Sequence, residues 1–319
     1  MARVRATGSR AAAVAPVTEC RETFPCFGAE CTVIVAATAL ADAEAAVRMA
    51  RAKLLDWHTR FSRFEAASEL TQLNEDPRPT VRITPLMRRI LEAGVNAARR
   101  TGGLVDPTLI PEIEQAGYVS HHAGGDPVLP SALQSVPRAA AGPHPEARWQ
   151  AVEIDRRAGT VTRPPGVKFD SGGIAKGVFA DEVGALLAGH EAFVVDCGGD
   201  IRLGGHSAPA REVHVASPWG DDVLHTFSLV NAGVATSGIA RRSWRGPDGR
   251  PAHHLLDPRT GRPAYSGVVQ ATALAPTTTE AEALSKAAIL SGGDRAEVVL
   301  VHGGLIVLDD GSVRLREPQ

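Results

Sequence analysis

The spacing of apolar residues along the chain predicts several helices. Apolar side chains fall on one side of a helix over residues 41–60. The clearest end signals flank residues 85–100, because Thr84 can cap the first turn, Pro85 suits that turn, and Gly102–Gly103 follow the basic end. The same reasoning predicts a glycine turn that opens into a helix within residues 170–190, and a helix over about 279–291.

Short apolar or alternating runs between these helices predict strands. Residues 31–37 (CTVIVAA) are typical of a buried strand, and residues 149–163 alternate enough to form a hairpin. Further strands are predicted at 193–196, 201–203, 212–216, 223–230, 268–274 and 296–301, and segment 298–315 holds two strand-like runs. Together these elements predict an α+β fold with mixed or antiparallel sheets and packed helices.

Composition shifts indicate how the chain is organised. Residues 1–22 carry Arg3, Arg5 and Arg10 near their start but no long apolar core, so we expect a disordered N-terminal tail and no secretory signal. Residues 122–147 are rich in Pro, Gly and Ala, which is typical of a flexible insert. The rest of the chain, from 23 to 319, is expected to form a single domain, and no internal repeat of solenoid period occurs.

Overall composition excludes several classes of protein. The chain has 319 residues, of which 44% are apolar and 22% charged, so it is not largely disordered. Its net charge of −2 gives no basic field, which argues against a nucleic-acid partner. The apolar runs are far shorter than the roughly 20 residues of a membrane helix. We therefore expect a cytoplasmic protein without membrane insertion.

Four short segments are dense in Gly, Asp, Thr and His: 102–108 (GGLVDPT), 170–177 (DSGGIAKG), 197–200 (CGGD) and 233–263. Paired glycines before a helix let backbone N–H groups approach an anion, and Lys176 could add a point charge. His253 and His254 are adjacent, so in a strand they face opposite ways and only one can reach a site. Taken singly, each segment is equally typical of an ordinary turn.

The order and spacing of these segments resemble the FAD:protein FMN transferase family (ApbE-like proteins). The similarity includes FSRF-x4-EL-x2-LN over 61–74 and AP-x3-EAEAL over 275–284, and it covers about residues 24–310. The most specific parts are HHLLDPRTGRP and DSGGIAKG in this order. The resemblance implies an ApbE-like architecture related to the T-fold.

The resemblance also implies an activity. Proteins of this family bind FAD and join its FMN half to a Thr or Ser hydroxyl of a target protein, while AMP leaves. They use Mg²⁺ on the pyrophosphate, and the chemistry is phosphoryl transfer. The implied partners are FAD and a flavin-accepting protein. Two alternatives remain open: a catalytically weak or silent FAD-binding protein, and an FAD pyrophosphatase that yields FMN and AMP.

Individual residues take roles only through this resemblance. His254 matches the proposed base, and Asp257 would fix its loop. The positions that match the family's cofactor-binding segments are Phe27 and Phe64 near the flavin, Leu104, Val105 and Asp106 on the adenosine side, and Asp170, Gly172 and Lys176 at the nucleotide.

The implied metal site departs from the family pattern. The family usually offers an Asp and, four residues later, a Thr on one helix, together with a backbone carbonyl in the glycine motif. Here the three positions are Glu282, Lys286 and Gly173. A protonated lysine has no lone pair, so it cannot act as a ligand. Glu282 and Lys286 are either an ordinary helical ion pair or a pair whose ammonium partly replaces the charge of the metal.

Overall fold

The computed structural model describes residues 17–120, 133 and 136–318. The α-helices are α1 Leu40–Phe61, α2 Glu69–Glu75, α3 Pro85–Arg100, α4 Ile110–Gln115, α5 Ala175–Leu187, α6 Thr278–Ser291 and α7 Gly293–Val299, and a 3₁₀ turn spans Arg148–Ala151. The strands in the first half of the fold are β1 Thr18–Cys26, β2 Ala29–Ala37, β3 Thr80–Arg82, β4 Glu153–Asp155, β5 Thr160–Thr162, β6 Ala192–Cys197, β7 Asp200–Gly204 and β8 Arg211–Ala216. The remaining strands are β9 Val223–Leu229, β10 Gly233–Gly238, β11 Ser243–Arg245, β12 Pro251–His253, β13 Leu256–Asp257, β14 Arg262–Pro263, β15 Val268–Ala275, β16 Gly304–Leu308 and β17 Val313–Arg316.

An eight-stranded antiparallel sheet forms the centre of the fold. Its strand order is β1-β2-β6-β7-β10-β15-β16-β17. Helices α1, α3 and α5 bury one large apolar cluster against β2 and β6, and α6 buries a second against β10, β15 and β16. The predicted α+β class is confirmed, and every strand pairing described is antiparallel.

Most elements with strong local signals lie where the sequence predicts them. Helix α3 begins at Pro85, and Thr84 Oγ1 accepts a hydrogen bond from Met87 N at 3.3 Å, as its capping role requires. The hairpin predicted within 149–163 is formed by β4 and β5, although Trp149 itself lies in the 3₁₀ turn.

The strand predicted at 296–301 is wrong. This segment begins in α7, and residues 300–303 leave the helix in a turn. Ala296 and Leu300 are both fully buried, four positions apart, which is the spacing of one helix face. Val298 and Val301, which made the run look strand-like, are exposed. The burial of Ala296 and Leu300 therefore outweighs the preference of the valines in this segment for a strand.

The disordered tail predicted for residues 1–22 is wrong for residues 18–22, which belong to strand β1. Strand β1 starts at Thr18 and pairs with β2 over its whole length, from Thr18 opposite Ala37 to Cys26 opposite Ala29. Burial increases along β1 towards Phe24 and Cys26, so the strand is anchored by its far end. Residues 1–16 lie outside the described residues.

The predicted flexible insert at 122–147 is only partly described, because residues 122–132, 134 and 135 lie outside the described residues. Its second half is attached to the body of the fold. Ala139 N donates to Tyr265 O, and Ala141 N donates to Leu290 O, each at 2.8 Å. Gly142 N donates to Asp257 Oδ1 at 2.9 Å. This half is thus a segment with several backbone donors bonded to distant residues, which differs from the flexible excursion expected there.

Helices α5 and α6 pack tightly against each other at Gly177. A Cβ atom at this position would lie 2.9 Å from Thr278 O, from Thr279 Cα and from Glu282 Oε2. Such contacts are shorter than van der Waals distances, so a larger residue forces the helices apart. The glycine therefore sets the distance between the two helices that carry Lys176 and Glu282.

Replacing Gly177 tests this contact. We expect Gly177→Ala to lower the free energy of unfolding by about 1–3 kcal/mol through overpacking, although alanine is the better helix former. Gly189→Ala is the control, because nothing lies within 4 Å of a Cβ atom there. Urea unfolding followed by circular dichroism gives both values. Equal stabilities of the two variants would contradict the close packing.

Candidate active site

Two cavities open on the same group of side chains. The first, which we call the aromatic cavity, is lined by Phe27, Trp57, Phe61, Phe64, Tyr118 and Phe179 among others. The second, the polar cavity, is lined by the glycine turn 198–199, strand β8 and residues 236–238 of β10. Five residues line both cavities and are called the junction residues below: Gly172, Lys176, Arg242, His254 and Lys286.

The turn that precedes α5 brings the backbone to the edge of both cavities. Asp170 Oδ1 accepts a hydrogen bond from Gly172 N at 2.8 Å, and Ser171 O accepts one from Ala175 N at 2.8 Å. The Ser171 hydroxyl anchors the turn by donating to Phe61 O at 3.1 Å. The turn is followed by the helix, as the sequence predicts, so the positive end of the α5 dipole faces the junction residues.

Two groups of aromatic rings line the first cavity. Phe27 has a left-handed backbone (φ 54°), and its ring stacks on Phe179 with centroids 5.4 Å apart. Phe64 is 37% exposed; the Arg63 guanidinium lies 4.3 Å from its centroid, and Tyr118 meets it edge-on at 5.6 Å. Both groups offer apolar faces suited to planar rings.

Asp106 presents a carboxylate oxygen to the aromatic cavity. Its Oδ1 accepts hydrogen bonds from Thr108 N at 2.8 Å and from Thr108 Oγ1 at 2.5 Å. Its Oδ2 is buried and has no hydrogen-bond partner among the described residues. Burial raises the pKa of this carboxyl. Because buried polar atoms are nearly always bonded, Oδ2 is suited to accept a hydrogen bond from a ligand.

Two of the junction residues, Lys176 and Lys286, form buried ion pairs. The Lys176 ammonium pairs with Asp200, which is 1% exposed, and Lys286 Nζ lies 2.9 Å from Glu282 Oε1. Burial, together with the negative charge of Glu282, raises the pKa of Asp200 to about 6. Burial opposes the charge on Lys176 and on Glu282, yet their oppositely charged neighbours raise the pKa of Lys176 and lower that of Glu282.

The two adjacent histidines face opposite ways. His253 is fully buried edge-on against Tyr265, with centroids 5.1 Å apart, and burial lowers its pKa to about 3. His254 lines both cavities, and burial and the nearby Arg242 guanidinium hold its pKa well below the usual value. His254 Nδ1 lies 3.4 Å from Arg242 O. Because a carbonyl only accepts, Nδ1 carries the proton and Nε2 is left able to accept one.

Asp257 lines neither cavity and instead holds a loop. Its Oδ1 accepts hydrogen bonds from Gly142 N at 2.9 Å and Arg259 N at 3.1 Å, and Arg259 Nη2 lies 3.3 Å from its Oδ2. These bonds fix the turn 257–261, which follows the cavity-lining residues Leu255 and Leu256.

The structure brings nearly all the residues singled out in the sequence to one place. Those that line the aromatic cavity are Phe27, Phe64, Leu104, Val105, Asp106, Asp170, Gly172, Gly173, Lys176, His254 and Lys286. Glu282 lines the polar cavity. Sequence reasoning missed Arg242 and the ion pair of Asp200. The Arg-Arg doublet after 236–238 and the acidic residue after two glycines were the available signals.

The side chains present do not fit the magnesium ion that the resemblance implies. Mg²⁺ takes six oxygen ligands in octahedral geometry. Here an ammonium, which has no lone pair, lies between the Glu282 carboxylate and the glycine turn. In the part of the chain that the structure describes, no group of three or more His, Cys, Asp or Glu side chains could hold a metal ion.

No helix among the described residues is long and apolar enough to cross a membrane.

The family model, the relatives and the solved structure that match this chain all belong to one family. The model of the ApbE family matches residues 27–307. An FAD:protein FMN transferase of Treponema pallidum is 30% identical over 231 residues, which cover 62% of this chain and 63% of the relative. One of Haemophilus influenzae is 25% identical over 269 residues, with 80% and 75% covered. Thus the chain spans somewhat less than two thirds of the Treponema relative.

Among solved structures, the ApbE protein of Thermotoga maritima superposes with a TM-score of 0.76 at 26% identity. The match covers 94% of this chain and 97% of the other. The ApbE-like architecture that the resemblance implies is therefore confirmed.

The ion pair of Lys176 and Asp200 yields a prediction about stability. Asp200→Asn leaves the buried ammonium without its counter-charge, so we expect the free energy of unfolding to fall by about 3 kcal/mol. The double variant Lys176→Met/Asp200→Leu removes both charges and should lose clearly less. Urea unfolding at neutral pH measures both, and a double variant less stable than Asp200→Asn would contradict the argument.

Proposed function

Because the chain belongs to the ApbE family, we propose that it is an FAD:protein FMN transferase. It moves the FMN half of FAD to a Thr or Ser hydroxyl of a target protein and releases AMP. The observation that carries this proposal is the position of His254, a neutral imidazole among three cationic side chains where two cavities meet. A diphosphate with planar rings on either side suits this arrangement of charges and aromatic faces.

FAD occupies the aromatic cavity in this proposal. Phe27 and Phe64 contact the flavin, and Leu104 and Val105 contact the adenosine. Asp106 Oδ2 accepts a hydrogen bond from the adenosine side, which would satisfy its missing partner. The diphosphate lies at the junction, where Asp170 holds the glycine turn that includes Gly172, and Lys176 supplies positive charge.

The acceptor hydroxyl enters through the polar cavity and meets the diphosphate at His254. Its oxygen forms a bond to the phosphorus of the FMN half, and the bond from that phosphorus to the bridging oxygen breaks. AMP leaves with the bonding electron pair, while His254 Nε2 takes the hydroxyl proton. The lowered pKa keeps His254 neutral, hence able to accept that proton, at neutral pH. Asp257 fixes the loop that follows His254.

The cytoplasmic location, the absence of a nucleic-acid partner and the extent of a single domain from 23 to 319 stay predictions.

Co-expression with a target fragment that carries the accepting Thr or Ser tests the function. Mass spectrometry should show a gain equal to FMN less one water on the fragment, with one AMP released per event. Free AMP and FMN without this gain would indicate an FAD pyrophosphatase, and bound FAD with neither product would indicate a binding protein. Either outcome overturns the proposal.

FAD should bind more tightly than riboflavin. The charged groups at the junction recognise phosphate, and riboflavin has none, so we expect a difference of about tenfold or more in dissociation constant. Isothermal titration calorimetry with both ligands gives the ratio. Equal affinities would show that the flavin ring alone is recognised.

His254→Ala should retain FAD but lose transfer by roughly 10²–10⁴-fold, the usual contribution of a general base. The adjacent His253→Ala is the matched control, since His253 faces the core. We expect His253→Ala to lower thermal stability and to change the transfer rate much less. Single-turnover rates with saturating FAD separate the two variants, and equal losses of rate would make the assignment of the base wrong.

A further inference from the structure

We propose that this chain holds the diphosphate of its nucleotide without a magnesium ion, because the Lys286 ammonium stands where the ion would. The inference rests on the proposed function, since it concerns how the same site neutralises FAD. Three contacts of Lys286 and Glu282 support it.

The Lys286 side chain fills the space between the carboxylate and the glycine turn. Glu282 and Lys286 lie one turn apart on α6, and Glu282 has no exposed surface. Lys286 Nζ donates to Glu282 Oε1 at 2.9 Å, while its Cε lies 3.8 Å from the place where a Cβ of Gly173 would be. The lysine therefore extends from the helix to the backbone of the turn.

Each carboxylate oxygen of Glu282 already accepts a hydrogen bond. Oε1 accepts from Lys286 Nζ, and Oε2 accepts from Gly177 N at 2.8 Å. A divalent cation at Glu282 would either displace the ammonium from Oε1 or bind beside its positive charge. Mg²⁺ also dehydrates reluctantly and demands regular oxygen geometry. Displacement costs an existing charge-assisted hydrogen bond, and binding beside the ammonium adds repulsion between like charges.

A purely structural ion pair does not account for the placement of Lys286. Buried ion pairs contribute little net stability, because desolvation offsets the attraction. Lys286 lines both cavities beside Lys176 and Arg242, whereas Glu282 lines only the polar cavity and Asp200 lines neither. The three cations thus line the aromatic cavity, whereas the carboxylate partners of Lys176 and Lys286 do not. An ammonium has three protons, and Glu282 takes one of them.

From this arrangement a specific binding behaviour follows. The Lys286 ammonium donates to phosphate oxygens directly and remains in place whether or not Mg²⁺ is present. Glu282 acts as a positioning residue that orients the ammonium. FAD affinity of the wild type should be the same with Mg²⁺ and with a chelator.

Calorimetry of FAD binding with EDTA or with excess Mg²⁺ tests the proposal. Wild type should give equal dissociation constants in the two solutions, and Mg²⁺ titrated alone should give no binding heat. Glu282→Gln/Lys286→Met removes both charges at nearly constant volume, and FAD should bind about tenfold to a hundredfold more weakly to it. Glu282→Asp/Lys286→Thr restores an oxygen pair, and its FAD affinity should rise on addition of Mg²⁺.

Arg48→Met is the matched control. Arg48 pairs with Glu44 at the same four-residue spacing but on an exposed face of α1. Its FAD affinity should equal that of wild type, and thermal melting checks that every variant is folded.

Three results would overturn the inference. Tighter FAD binding by wild type in Mg²⁺ would show that the ion binds despite Lys286. Unchanged affinity in Glu282→Gln/Lys286→Met would show that the ammonium does not contact the nucleotide. Absence of FAD binding by wild type in both solutions would overturn the proposed function, and this inference with it.

Discussion

The carboxylate of Glu282, which water does not reach, is the group on which the arrangement of the site depends. Burying a carboxylate is costly unless its oxygens are hydrogen-bonded. Glu282 meets this requirement by accepting from the backbone of α5 at Gly177 and from Lys286 on its own helix. It thereby links the two helices at the tight contact around Gly177. The same contact determines where the glycine turn before α5 lies and where the Lys286 ammonium points.

The aromatic groups and the charged groups of the site recognise different features of a ligand. Rings at Phe27 and Phe64 supply broad apolar surfaces, which favour planar ligands but discriminate weakly among them. The cations at the junction lie in a less hydrated region and discriminate by charge. Burial and, after it, the nearby cations keep the His254 imidazole neutral. The cations that favour a diphosphate therefore also contribute to keeping His254 able to accept a proton.

Local signals in the sequence predicted much of the fold. Thr84 and Pro85 define the start of α3 through bonds within a single turn, so no tertiary information was needed. The segment 296–301 had no such end signal, and its valines favoured a strand until tertiary burial of Ala296 and Leu300 selected a helix. The prolines and glycines of 136–147 were typical of a flexible loop. Their order comes from partners such as Asp257 and Tyr265, more than 100 residues away.

The candidate site was predicted by resemblance more than by spacing. Gly172 and Lys176 share a local motif, but no sequence pattern joins them to His254 or Lys286. The pairing of Glu282 with Lys286 was visible as an i,i+4 spacing, whereas the pairing of Lys176 with Asp200 depends on how α5 packs on β7. The Arg-Arg doublet that includes Arg242 was only a weak signal, because arginines in a polar stretch are ordinary on a protein surface.

The fully buried His253 carries a consequence for the proton balance of folding. Its imidazole is neutral in the folded chain, with a pKa of about 3, while in the unfolded chain it titrates near 6.5. Below about pH 6.5 the unfolded state therefore binds a proton that the folded state excludes. By linkage, this residue lowers the free energy of unfolding by up to about 1.4 kcal/mol for each further pH unit of acidification. The decrease ends when the folded state also binds the proton. His253 thus makes the folded state less stable as the solution becomes more acidic.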